Sequence, residues 1–270
     1  MSAVIMDGKA LAEKVKAVVK ENTRKCLKSP RLAVIVTGNN PASAVYVKNK
    51  MRDCEEVGIK CEIYNLNGNV TNNAVEEVIN TLNGRIEVDG IICQLPLADG
   101  LDEDYLLSQI DHNKDVDGFY SDEFDPCTPL GIVLLLEEYG IEIAGKHCVI
   151  VGRSDIVGKP LARMLVDMDA TVTLCHSKTN NLAEFTKSAD ILIVAVGKRD
   201  LITADMVKDG VVVIDVGINR TEDGKLCGDV DFNSVVEKAS YITPVPGGVG
   251  PMTRAMLLEN VVKANILNKF

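Results

Sequence analysis

Short apolar runs alternate along almost the whole chain with stretches in which apolar residues recur every three or four positions, the pattern of parallel βαβ units. Runs at residues 32–36, 60–64, 90–93, 148–151, 171–174, 191–196 and 211–216 predict buried strands. The helical rhythm predicts helices over 11–28, 42–57, 73–82, 131–139, 157–168, 182–186 and 252–267. Around residues 120–128 the rhythm lapses into the acidic, proline-bearing SDEFDPCT, and a second βαβ series follows it. The fold class is therefore α/β in two domains, with the boundary in that stretch.

Length agrees, since 270 residues exceed the usual span of one small core. Lys plus Arg number 29 against 39 Asp plus Glu, a formal charge of −10 that would repel a phosphate backbone, so no nucleic-acid partner is expected. No apolar run is long enough to cross a bilayer, and no membrane partner is expected. The start, MSAVIMDGKALAEKVKAVVKE, has no apolar signal core, which makes the cytoplasm the expected compartment. Eight cysteines are spread singly without a C-x-x-C pair, so neither disulfides nor a metal site is expected.

The helix over 42–57 has clear punctuation: Asn39 or Asn40 can cap it, Pro41 suits its first turn and Gly58 its end. Ala44, Val47, Met51 and Cys54 form its core stripe, while Ser43, Tyr46 and Lys50 project together on the neighbouring stripe. Tyr46 and Lys50 make a Y-x-x-x-K pair of the kind found in short-chain dehydrogenases. There the pair follows a glycine fingerprint, whereas here it precedes Gly152, and chain order rejects that parallel.

HCVIVG followed by RSDIVGKP is a strand, a glycine turn and a helix start, an arrangement that aims free N–H groups at a dinucleotide's pyrophosphate. Ser154 stands where G-x-G-x-x-G would have glycine and Gly158 is displaced by one position, so the run also suits a plain tight strand-to-helix connection. One strand later, positions 175–179 read CHSKT with no acid to hold ribose hydroxyls. Ser177 and Arg153 can hydrogen-bond a 2′-phosphate, which favours NADP over NAD. The alternative for HSKT is a polar loop with a helix cap at Thr179 or Asn180.

Three further segments carry chemistry. IICQLPL puts Gln94 and Pro96 at the carboxyl end of a buried strand, where open α/β sheets bind ligands. NKDVDGF carries Asp115 and Asp117 before Gly118, and either can be a turn residue or can accept hydrogen bonds from a heterocycle's N–H donors. TPVPGGVGPMT, residues 243–253, combines three prolines that stiffen a loop with three glycines, Gly247 and Gly248 among them, that let backbone approach a ligand.

In this order, PASAVYVKNK, IICQLPL, KDVDGF, PCTPLG, GRSDIVGKP, ATVTLCHSKT and TPVPGGVGPMT resemble the bifunctional methylenetetrahydrofolate dehydrogenase/methenyltetrahydrofolate cyclohydrolase family over nearly the whole chain. The resemblance implies hydride transfer from 5,10-methylenetetrahydrofolate to NADP, then hydrolysis of the methenyl product to 10-formyltetrahydrofolate. It makes Lys50 the principal catalytic group, supported by Gln94, with Tyr46 packing on the folate and Asp117 binding the pterin's donor edge. Ser43, Pro96, Gly247 and Gly248 would line the folate pocket. Gly152, Arg153 and Ser154 would hold the cofactor phosphates, Ser177 the 2′-phosphate, and Ile218 would lie near the nicotinamide.

The same resemblance implies a folate-binding domain of residues 1–120 joined by a C-terminal helix, 251–270, and an NADP-binding Rossmann-like domain of 121–250. Leu257, Leu258, Val261 and Val262 share one side of that helix for packing back on the first domain. It also implies a homodimer, and leaves open whether Lys50 acts as base or as electrostatic guide. A monofunctional dehydrogenase and a non-catalytic NADP-binding regulator are the rivals. A formate ligase is excluded, because no G-x-x-x-x-G-K-[ST] is present.

Overall fold

A computed structural model describes residues 3–38, 41–66 and 69–267. Asn39 and Asn40, the expected caps, and the side chain of Ser43 lie outside the described residues. In chain order the elements are β1 (Val4–Ile5), α1 (Gly8–Lys25), β2 (Arg31–Thr37), α2 (Pro41–Val57), β3 (Lys60–Leu66), α3 (Asn72–Asn83), β4 (Gly90–Cys93) and α4 (Glu103–Ser108). There follow α5 (Cys127–Glu138), β5 (His147–Val151), α6 (Gly158–Asp167), β6 (Thr171–Cys175), α7 (Leu182–Ser188), β7 (Ile191–Val194) and β8 (Val212–Asp215). The chain ends with β9 (Asn219–Arg220), β10 (Leu226–Cys227), α8 (Phe232–Val235), β11 (Tyr241–Ile242) and α9 (Val249–Leu267).

These elements form two compact units, Met1–Ala12 with Thr128–Thr253, and Glu13–Cys127 with Arg254–Phe270. The break falls between Cys127 and Thr128, at the end of the acidic stretch and later than residue 120. The first twelve residues, expected with the folate domain, belong to the other unit because β1 pairs in parallel with β11. Asp7 N donates to the Tyr139 hydroxyl at 2.6 Å and ties that segment to α5.

The unit of residues 128–253 holds a six-stranded sheet in the order β1-β11-β8-β7-β5-β6, every pair parallel. Its central strands are buried on both faces, which is why HCVIV and ILIV read as continuous apolar runs rather than alternating ones. From β5 the chain steps to β6 on one side and then returns to β7 on the other. The switch point of the sheet is therefore at the carboxyl end of β5.

The other unit holds a three-stranded parallel sheet, β3-β2-β4, with β2 central. Ala33, Ile35, Ile79, Leu82, Ile91, Leu106 and Ile110 pack into its core. Lys114 Nζ donates to the carbonyls of Leu82, Asn83 and Arg85 at 3.2, 2.8 and 2.8 Å, satisfying the carboxyl end of α3. The carboxyl part of α9 completes this unit, as expected for the final helix. No helix among the described residues is long and apolar enough to cross a membrane.

Helix limits shift for local reasons. Asp7 Oδ1 caps the amide of Ala10 at 2.9 Å, so α1 starts at Gly8 rather than 11. It stops at Lys25 rather than 28, five residues before Pro30. Pro251 fits a first helical turn, so α9 starts at Val249 and absorbs the end of the proline-glycine segment that reads as loop.

Candidate functional site

In the three-stranded unit the site residues follow β2 and β4. Half-buried Tyr46 and Lys50 sit one turn apart on α2, which leaves the carboxyl end of β2. Gln94 follows β4 directly: its amide N donates to Ile35 O at 2.8 Å, which extends the ladder by one residue and buries the side chain to 8 % exposure. Its Nε2 donates to Leu95 O at 2.8 Å, and Oε1 is buried without a hydrogen-bond partner among the described residues. The Leu95–Pro96 bond is cis and Pro96 is exposed. Thr37 Oγ1 accepts from Ala98 N at 2.8 Å, pinning the segment after Pro96 to the end of β2.

The two aspartates of KDVDGF differ in their partners. Asp115 is the turn residue: its carboxylate accepts from the amides of Gly118, Tyr120 and Ser121 at 3.2, 2.6 and 3.1 Å. The Asp117 carboxylate accepts no hydrogen bond among the described residues, so its acceptors remain available to a ligand. Burial pushes it up to about 6 against the positive charge of Lys50, which pulls it down, while Asp115 adds a further upward push. The charge of Lys50 also reaches Cys127. Lys50 and Asp117 thus share one electrostatic environment, although α2 and the 115–127 segment are far apart in sequence.

In the six-stranded unit the turn after β5 lies at the switch point. Gly152 has φ +127°, and a Cβ on it would overlap the Ala195 carbonyl; one on Gly158 would overlap the carbonyl oxygen of Gly152. The displaced glycine of the fingerprint is thus the one that lets α6 approach the turn. Ser154 Oγ accepts from the amides of Val157 and Gly158 at 3.2 and 3.5 Å. Arg153 is exposed beside it, and Asp155 is paired with Lys159 Nζ at 2.5 Å, which offsets its repulsion of a phosphate.

Ser177 is exposed after β6, in a turn closed by His176 N donating to Thr179 Oγ1 at 2.9 Å and Lys178 N donating to His176 Nδ1 at 3.1 Å. The residue before α7 is Asn181, not Thr179 or Asn180 as the polar-loop alternative had it, and its side chain makes no capping hydrogen bond. A backbone-lined turn at the switch point, a serine and an arginine, and no acid after β6 suit a 2′-phosphorylated dinucleotide.

Sequence reasoning passed over the carboxylates that hold the next two loops. Asp215, at the end of β8, accepts from Gly217, Asp229 and Val230 amides at 2.9, 3.0 and 3.0 Å. Asp229 accepts from Val196 and Gly197 amides at 2.7 and 3.0 Å and from Asn219 Nδ2 at 2.8 Å. Together they fix the loops after β7 and β8 and leave Ile218 51 % exposed. Gly217 and Gly228 were the available signal, since a Cβ on either would strike these carboxylates.

Gly247 and Gly248 also lie in the six-stranded unit. Gly247 has φ +110° and its carbonyl accepts from Lys9 N at 2.9 Å; a Cβ on Gly248 would lie 2.6 Å from Pro244 O. Their lack of side chains is accounted for by backbone packing, whatever else they touch.

Fold and site together define a nucleotide-dependent α/β enzyme of two units, one built for a dinucleotide and one presenting a lysine, a glutamine and a carboxylate at its strand ends. Residues 6–117 match the family model for the tetrahydrofolate dehydrogenase/cyclohydrolase catalytic domain, and residues 126–269 match that family's NAD(P)-binding domain. The chain belongs to the tetrahydrofolate dehydrogenase/cyclohydrolase family. It is 52 % identical to the bifunctional protein FolD of Campylobacter jejuni, over 96 % of this chain and 97 % of that one. The crystal structure of the bifunctional FolD enzyme from Campylobacter jejuni superimposes with a TM-score of 0.95 at 51 % identity, covering 98 % of this chain and 99 % of that one. The methylenetetrahydrofolate dehydrogenase-cyclohydrolase of Trypanosoma brucei, solved with NADP and an inhibitor, gives 0.93 at 34 % identity, covering 99 % and 98 %.

Proposed function

We propose that this protein oxidises 5,10-methylenetetrahydrofolate to the methenyl compound with NADP and hydrolyses that product to 10-formyltetrahydrofolate. The observation that carries the reading is the buried, unpartnered Oε1 of Gln94 at the end of β4, in a unit where Lys50 and Asp117 share one electrostatic environment. A buried acceptor without a donor is costly unless a ligand supplies one.

NADP, when bound, accepts the hydride from the bridging carbon. The turn of Gly152, Arg153 and Ser154 would hold its pyrophosphate, Ser177 and Arg153 its 2′-phosphate, and Ile218 would flank the nicotinamide end. Asp117 accepts hydrogen bonds from the pterin's N–H donors, Tyr46 stacks on the folate, and Ser43 and Pro96 line its surroundings. Hydride loss leaves a delocalised folate cation and needs no strong base, so positioning dominates the first step. In the second step water adds to the methenyl carbon and gives up a proton while a C–N bond opens. Lys50 is the group we assign to manage that proton, with Gln94 holding the lysine or the water by hydrogen bonds.

The domain roles follow: residues 13–127 with the end of α9 serve folate, and residues 128–253 serve NADP. We further assign the protein to the cytoplasm as a homodimer, which analytical ultracentrifugation tests. For the reaction the test is Lys50→Met, with NADPH and methenyl absorbance followed together. Cyclohydrolase turnover should fall on the order of 100-fold or more while NADP still binds. Full cyclohydrolase activity in that variant, or equal rates with NAD and NADP in the parent, would refute the respective parts.

A further inference from the structure

Asn260, like Asn265 a polar residue buried on α9, lies among Leu257, Leu258, Val261 and Val262 and is 3 % exposed. Its Nδ2 donates to Val116 O at 3.0 Å and to Asp125 O at 3.2 Å, and lies 3.6 Å from Cys127 Sγ. One side-chain amide therefore joins the two ends of the segment that contains Asp117.

That segment is closed on itself at the same point. Cys127 N donates to Asp117 O at 3.2 Å and Cys127 Sγ to Val116 O at 3.3 Å. Gly118 has φ +77°, and a Cβ there would lie 2.6 Å from the Asp125 carbonyl carbon, so the two backbones touch beside Asp117. Three residues further along α9, Lys263 Nζ donates to Glu123 O at 2.5 Å and stands 5.3 Å from the centre of the Phe124 ring. The Asp115 carboxylate gathers the remaining amides of the turn.

The Asp117 carboxylate takes no part in this network, so only its backbone determines where it points. Its neighbour Val116 and its backbone partner Cys127 are both held by Asn260. Two carbonyl oxygens converging on one buried point need a double donor. A primary amide supplies two N–H groups there, while an aspartate of the same shape would set acceptor against acceptor.

We propose that Asn260 is a positioning residue for substrate recognition: by clasping Val116 and Asp125 it aims the Asp117 carboxylate at the N–H donors of the bound heterocycle. The proposal rests on the reading of Asp117 as the pterin-binding carboxylate.

The test uses Asn260→Asp and Asn260→Ser, with Asp117→Asn in parallel, assayed as the full-length enzyme with methylenetetrahydrofolate and NADP. Asn260→Asp should raise the folate KM on the order of tenfold or more, as expected when an anchoring group is displaced by a fraction of an ångström. Its NADP Kd and its kcat at saturating folate should stay close to the parent's, and the acid limb of its folate KM profile should shift. Asn260→Ser, which keeps one donor in less volume, should fall between, and it serves as the test if the aspartate variant does not fold. Unchanged folate KM and pH profile in a folded Asn260 variant, with KM raised in Asp117→Asn, would overturn the proposal; so would lost stability without a change in KM. An unchanged KM in Asp117→Asn itself would instead remove the reading of Asp117, and the proposal with it.

Discussion

Arg254 Nε lies 2.6 Å from Oδ2 of Asp53, a carboxylate whose side chain is 3 % exposed, so α9 is fastened to the helix that carries Tyr46 and Lys50. Arg52 reaches the same carboxylate at 3.4 Å but is 67 % exposed and holds it weakly. The two partners are unequal: Arg254 can turn partly toward water, whereas Asp53 cannot. Arg254→Met should therefore cost about 3 kcal/mol by leaving a buried charge unpaired, and Asp53→Asn about 1–2 kcal/mol. The double variant should lose less than the sum. Urea midpoints check this, and additive or equal losses would contradict it.

The approach of Gly158 to Gly152 makes a second prediction. Gly158→Ala places a Cβ against backbone that no rotamer change can move, pushing α6 away from the turn. NADP affinity should fall on the order of 100-fold and stability by about 2–3 kcal/mol. Gly250, in the first turn of α9, meets nothing beyond its chain neighbours within 4 Å of its would-be Cβ. There alanine should be close to neutral, because the freedom that glycine loses in a helix is offset by the crowding of a Cβ against Pro251 in helical backbone. Calorimetry with and without NADP separates the two; a Gly158→Ala protein with parental NADP affinity would show that the close approach is dispensable.

Long buried strands and the helix from Pro41 to Val57 are legible because they are local: a doubly covered parallel strand must be an apolar run, and an amphipathic helix must repeat every three or four residues. β1 and β11 are not, since two residues each carry no period and their pairing joins positions 4–5 to 241–242. That pairing, with the bonds of Asp7 to Tyr139 and of Lys9 to Gly247, places the first residues in the nucleotide unit. Within the candidate site, residue types nominate Lys50, Gln94 and both aspartates of KDVDGF. The division of labour between Asp115 and Asp117 depends on where three amides point, which no spacing encodes. Asp229 and Asn260 escaped for the same reason: an acid in a turn and an amide in an apolar helix look ordinary until the fold brings distant backbone groups to them.

Burial lifts Asp117 to about 6, and the third prediction is its pH dependence. An unfolded aspartate titrates near ~3.9, so between about pH 4 and 6 the native protein holds a proton that the unfolded chain has released. The stability this group contributes is complete below about pH 4 and is lost as pH rises through about 6. Asp215, also pushed up to about 6 by burial, acts in the same sense. On the proposed role of Asp117, substrate binding runs the other way, because pterin N–H donors need the ionised carboxylate. Folate KM should rise about tenfold per pH unit below 6. Asp117→Asn should flatten that limb and Asp215→Asn should leave it; a limb that survives Asp117→Asn belongs to another group.

Gln94 sets activity against stability. Its Oε1 is buried with no donor, a condition that costs about 1–3 kcal/mol in the ligand-free protein. Gln94→Met keeps the volume and removes the orphaned acceptor, at the loss of one 2.8 Å bond to Leu95 O. A bond of that kind is worth about 1 kcal/mol net, so the variant should be as stable as the parent or more stable by about 1 kcal/mol without folate. Cyclohydrolase turnover should fall on the order of 100-fold, since the group proposed to hold the lysine or the water is gone. Folate should also stabilise the variant less than it stabilises the parent, because the donor that satisfied Oε1 no longer has an acceptor to meet. Melting temperatures with and without folate, read beside turnover, decide the matter: a methionine variant that is markedly less stable without ligand would mean that Oε1 is satisfied in solution and that Gln94 is a packing residue.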